Sequence, residues 1–94
     1  MLDPFVAEYK LEHLTYLKQS LEDSKPRLRD DDIAYQTNEI GDRLKELGKN
    51  EEALIYYEQA LAIRRKMFVD DHHPYVAQSF DNIGAVLSRG FVIL

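Results

Sequence analysis

"IAYQTNEIGDRLKELG" at residues 33–48 and "VAQSFDNIGAVLSRG" at residues 76–90 read as one helix written twice. A shift of 43 lays Ile33 on Val76, Ala34 on Ala77, Thr37 on Phe80, Ile40 on Ile83, Gly41 on Gly84 and Leu44 on Leu87. In each copy these positions step by three and four residues, which gathers them on one apolar stripe of an α-helix. The paired glycines sharpen the match. Glycine inside a helix costs about 1 kcal/mol and needs a packing reason.

Between the copies lies "GKNEEALIYYEQALAIRRKMF", residues 48–68, which reads as a longer helix. Asn50 suits its N-cap, Glu51 and Glu52 its first turn, and Arg64, Arg65 and Lys66 its last, the charge order that a helix dipole favours. Gly48 marks a short turn, so the helix before it and this one form an antiparallel hairpin. Ala53, Ala60 and Ala62 sit among Leu54, Tyr57, Leu61 and Met67, where an apolar stripe would ordinarily carry bulk. Small residues allow close helix approach. Ala53 is expected to meet Gly41 within the hairpin, and Ala60 the helix that begins near Tyr75. "VDDHHP" then breaks the pattern, and Pro74 fits the first turn of the next helix, where its missing N–H is not needed.

The positions Thr37, Ile40, Gly41, Leu44, Gly48, Ala53, Tyr57 and Ala60 resemble the tetratricopeptide repeat. That repeat ordinarily runs about 34 residues. The longer period here, with "EEALIYYEQALAIRRKMF", "DDHHPYVA" and "NIGAVLSRG", resembles its kinesin-light-chain type. The resemblance covers residues 33–89 and concerns the repeat, not a motor subunit, because no heptad segment accompanies it. It implies an all-α fold of antiparallel helix-turn-helix repeats, a short α-solenoid. Residues 30–73 would be one complete unit, and 74–94 the first helix of a second unit with a truncated apolar tail. Residues 1–29 hold a helix whose Val6, Leu11, Leu14, Leu17 and Leu21 fall broadly on one side. Ala7, Leu11 and Leu14 lie over Ala53, Tyr57 and Ala60 at a shift of 46. This segment is either a degenerate second helix of a preceding repeat or an unrelated N-terminal helix.

Several departures from the pattern bear on function. Thr37 stands where a large apolar residue is usual, "DDHHP" has one histidine more than expected, and "FVIL" replaces a second helix after Arg89. Repeat arrays generally need about three units and a polar cap. The chain therefore reads as a piece of an array, or as one that borrows surface from another molecule.

Composition removes several function classes. There is no cysteine among 94 residues, which excludes a disulfide framework and cysteine-based zinc or redox chemistry. The net charge of −5 argues against nucleic-acid binding, which needs a clustered basic surface. Lys25, Arg27 and Arg29, and likewise Arg64, Arg65 and Lys66, read as solvated loop or helix-end charges. "MLDPFVAEYK" lacks the basic start and apolar run of a signal peptide, and "FVIL" is too short to span a bilayer. A cytoplasmic protein with no membrane partner is the expectation.

No enzyme is expected. Asp70, Asp71, His72 and His73 are adjacent loop residues, and zinc ligands converge from separate positions, so no metal site is expected. Asp30, Asp31 and Asp32 lack the alternation and glycine of a calcium loop and read as an acidic helix start. No phosphate-binding or dinucleotide glycine pattern occurs, and no cofactor is implied. Tyr57 falls on a core position of the repeat, whereas Tyr56 can be read either way.

Recognition remains. In tetratricopeptide arrays, the resemblance implies, first helices of successive repeats line a concave groove for a peptide or partner helix. Carried over, the groove positions are Tyr35, Asn38, Asp42 and Lys45 in the first unit and Gln78, Asp81 and Ser88 in the second, with Ala85 too short to contribute. Asn38 matches a family asparagine whose carboxamide can both donate to and accept from a peptide backbone. The bland alternative makes all of them ordinary solvated positions. A structural alternative gives the chain no ligand of its own. In that reading it self-associates through its last helix, using Phe80, Val86, Leu87, Phe91, Val92, Ile93 and Leu94.

Overall fold

A computed structural model describes residues 4–91; the side chains of Pro4, Phe5, Ala7 and residues 89–91 are not described. Among the described residues there are four α-helices and no strand. They are α1 (Pro4–Ser24), α2 (Asp30–Glu46), α3 (Asn50–Met67) and α4 (Pro74–Phe91), with a 3-10 turn at Lys25–Arg27 between the first two. The fold is all-α, built from antiparallel helix pairs.

The α2–α3 hairpin turns on Gly48, whose φ of 76° lies in the left-handed region that residues with a Cβ avoid. The Gly48 N–H donates to the carbonyl of Lys45, and the Lys49 N–H to that of Leu44, both at 2.9 Å. This pair of bonds is the Schellman closure of a helix end. Asn50 is not the N-cap that its side chain suggested. The capping position falls to Lys49, which makes no side-chain capping bond, and Asn50 is already helical.

Cross-links between alternate helices place the chain in two layers. Asn82 on α4 donates to Asn38 on α2, while Lys18 on α1 pairs with Glu52 on α3 and lies over the Tyr56 ring. Thus α2 and α4 share one layer, and α1 and α3 the other. The slab measures 42 × 38 × 16 Å, and its radius of gyration of 14.1 Å exceeds the roughly 12 Å of a compact globule of this length. Extra surface of this kind belongs to a stacked repeat.

The core joins Leu14 and Leu21 of α1, Ile40 and Leu44 of α2, Ala53 and Tyr57 of α3, and Val86 of α4. On α1, Leu14 and Leu21 are buried and Leu17 half-buried, whereas Val6 and Leu11 remain exposed, so only the second part of the expected stripe packs. On α3, Ala53 and Ala60 are fully buried, but Ala62 is exposed. Two residues carry a helix about 200° round, which moves Ala62 off the stripe. The close approach at Gly41 is to Tyr57, four residues on from Ala53: a Cβ added at Gly41 would stand 2.7 Å from Tyr57 Cε1. The ring is fully buried, and its hydroxyl donates to Asp42.

The face of α4 that corresponds to this contact is bare. Phe80 and Leu87 are exposed, and nothing lies within 4 Å of a Cβ built on Gly84. Val86, expected with them on the exposed side, is buried in the core. The side chains of Phe91, Val92, Ile93 and Leu94 lie outside the described residues.

Candidate functional site

The beginning of α2, the end of α3 and the beginning of α4 meet around a groove of about 280 Å³. Two side chains expected to face a ligand line it: Tyr35 from α2 and Gln78 from α4, both exposed. Asp31 and Asp32 stand on the α2 side, and Met67, Phe68 and Tyr75 supply an apolar and aromatic wall.

Below them lies Arg64. It is 4% exposed and is the one cation in the lining among the described residues. Its Nη1 donates to the carbonyl of Tyr75 at 3.2 Å and to the hydroxyl of Ser79 at 2.8 Å, tying the end of α3 to the beginning of α4. The guanidinium also sits 5.5 Å from the centre of the Tyr75 ring. No carboxylate pairs with it among the described residues. Desolvation is the main influence on Arg64 and lowers its pKa, against the smaller opposing effects of Tyr75 and Asp42. Its Nε and Nη2 have no acceptor among the described residues. The sealed side-chain nitrogen without a partner there is Nε of Arg43, not either of these. Those N–H groups of Arg64 therefore open to the solvent side.

The remaining expected positions are dispersed. Asn38 is buried, and its side-chain oxygen accepts from Asn82 at 2.9 Å, so its carboxamide stitches α2 to α4. Asp42 is half-buried and accepts from Tyr57 inside the hairpin. Burial, followed by this bond, pushes the Tyr57 phenol well above its ordinary value of 10.0. Lys45 is half-buried, Asp81 and Ser88 are exposed, and none of the three lines the groove. The structure thus brings Tyr35 and Gln78 together and gives Asn38 and Asp42 partners within the protein.

Arg64, Phe68 and Tyr75 in the groove and Asn82 beside Asn38 are not among the site positions that the repeat pattern gives. A signal for Arg64 exists in its spacing. Ala53, Tyr57, Ala60 and Arg64 step by four, three and four, which continues the buried stripe to a charged residue.

The loop from Phe68 to Pro74 frames one side of the groove. His73 stacks on Phe68 with ring centroids 3.6 Å apart, and its Nδ1 accepts the Tyr75 N–H at 3.1 Å. Asp70 accepts the His72 N–H at 2.9 Å, and that backbone bond, then the His72 ring, holds its carboxyl below the usual range. Among the described residues no group of three or more His, Asp or Glu side chains is placed to hold a metal ion. No described helix is long and apolar enough to cross a membrane.

The family model of the tetratricopeptide repeat matches residues 33–74, which run through α2 and α3 to the first residue of α4. No curated protein and no solved structure matches the chain.

Proposed function

We propose, from the tetratricopeptide repeat at residues 33–74, that the chain is a protein–protein interaction module without catalysis of its own. It holds a peptide or partner segment on the face where α2 and α4 lie side by side. One observation carries the reading: Tyr35 and Gln78, on helices related by the 43-residue repeat, line the same groove. Asn38 and Asn82 act beneath that face as a clamp between the two helices, and Asp42 as the lock on Tyr57. We further infer that the repeat is of the kinesin-light-chain type, on the period of 43 and the phrases "ALAIRR" and "DDHHP". The test is affinity for peptides selected on the intact chain. Tyr35→Ala and Gln78→Ala should each weaken capture with the helical circular dichroism unchanged. Capture indifferent to both changes places the ligand elsewhere.

A second reading rests on the bare face of α4. Gly41 is covered by an aromatic ring, whereas its counterpart Gly84 is open and flanked by exposed Phe80 and Leu87. Arg65 already shields part of this face, lying 5.8 Å from the centre of the Phe80 ring. Self-association there requires Leu87→Glu to reduce the molar mass seen by light scattering at high concentration. A wild-type chain that stays monomeric removes this reading.

A further inference from the structure

We propose that the groove is selective for an extended peptide carrying a basic side chain beside an aromatic or aliphatic one. The inference deepens the groove reading and rests on it. Charge placement is the first reason. Lys10, Lys18, Lys25, Arg43 and Arg65 are each ion-paired elsewhere. Asp31 and Asp32, exposed on the groove, have no cation paired with them among the described residues. Among the described residues the Asp31 carboxylate accepts only the backbone N–H of Asp32 at 2.9 Å, a local bond that leaves most of its acceptor capacity unused. Aspartates in a first turn also answer the helix dipole, so on their own they mark no site.

Arg64 supplies the independent observation. The residue is only 4% exposed, and a guanidinium so placed is expensive unless its donors are satisfied. Among the described residues only Nη1 has acceptors; Nε and Nη2 have none and are not sealed from solvent, and Arg64 lines the groove. A ligand seated there must offer an oxygen. A peptide carbonyl meets that need without bringing a negative charge up to Asp31 and Asp32. The same peptide's basic side chain pairs with those two carboxylates and can lie over the exposed Tyr35 ring. Its apolar neighbour covers the wall made by Phe68 and Tyr75. A ligand carboxylate would satisfy Arg64 more strongly but face two unpaired aspartates. That competitor is an outcome of the test.

The experiment pans a phage-displayed library of random heptapeptides against the intact chain. Enriched sequences are then synthesised and titrated against wild type, Tyr35→Ala and the double variant Asp31→Asn/Asp32→Asn. Enrichment of Lys or Arg next to an aromatic or aliphatic residue is expected. Binding should fall roughly three- to tenfold in the double variant, as two exposed ion pairs allow, and weaken with added salt. Circular dichroism checks that the asparagine variant folds. Tyr35-dependent peptides that are neutral or acidic, or basic ones indifferent to the double variant, overturn the charge assignment and leave the groove standing. If no enriched peptide depends on Tyr35, the groove reading falls with it.

Discussion

Gly41 and Gly84 occupy the same position of the two helical copies, yet replacing each by alanine should move stability in opposite directions. In Gly41→Ala the new Cβ stands 2.7 Å from Tyr57 Cε1 and 2.8 Å from Cδ1. The ring has little room to retreat, because it is fully buried and its hydroxyl is bonded to Asp42. Overpacking of this kind costs about 1–3 kcal/mol. Removing a helical glycine returns about 1 kcal/mol, leaving a net loss of about 1 kcal/mol. At Gly84 nothing lies within 4 Å of the added Cβ, so only the gain of about 1 kcal/mol remains. In a domain of this size each kcal/mol moves the midpoint by about 4–8 °C. Thermal melts followed by circular dichroism should therefore show Gly41→Ala falling and Gly84→Ala rising. Repeating Gly41→Ala in a Tyr57→Leu background should abolish its penalty. If Gly41→Ala stabilises as much as Gly84→Ala, the ring is not pressed on the helix and the account of the hairpin is wrong.

Tyr57 gives a pH signature. Its folded pKa is raised above the unfolded value of 10.0, so the folded chain keeps a proton that the unfolded chain releases. That contribution is intact below about pH 10 and declines above it by about 1.4 kcal/mol per pH unit. Stability should thus drop with alkaline pH, and Tyr57→Phe should flatten the slope in urea titrations; an unchanged slope refutes the buried phenol. The same substitution at neutral pH should cost about 1 kcal/mol for the lost bond to Asp42. Arg64→Met removes both donors to α4 and leaves the fully buried Ser79 without that bond, at about 2 kcal/mol. Arg64→Met/Ser79→Ala should recover part of the loss, since removing both partners is cheaper than removing one. Asn82→Ala strands the buried Asn38 oxygen and should cost about 1–2 kcal/mol, read by the same melts. A cost near zero would mean that water replaces the bond.

The helical stripe at Ile33, Ile40 and Leu44, the turn at Gly48 and the start at Pro74 are legible in the sequence because each rests on local chemistry. Period, positive φ and the missing N–H of proline require no knowledge of neighbours. What covers Gly41 was less legible. The glycine announced a close approach, but Ala53 and Tyr57 lie on one stripe of α3, four residues apart. The choice between them depends on axial offset and tilt, which only the packed pair defines. The small residue is the notch, and the large one fills it.

The groove shows the same division more sharply. Asn38 and Asp42 carry groups suited to peptide recognition, and the repeat pattern placed them on a binding face. Each found a partner inside the protein first: Asn82 for one and Tyr57 for the other. An internal partner held by the fold has already lost its freedom, so it competes well against a peptide that must still be ordered. Tyr35 and Gln78, with no such partner among the described residues, stay exposed on the groove. Arg64 shows the converse. Its position near a helix C-terminus accounts for its charge, whereas its place on the stripe of Ala53, Tyr57 and Ala60 decides its burial. A cation at a helix end lies in solvent only if its face does. Four residues on from Ala60, Arg64 lies on a face that does not, and its Nη1 is bonded to Tyr75 and Ser79 while its Nε and Nη2 have no acceptor among the described residues.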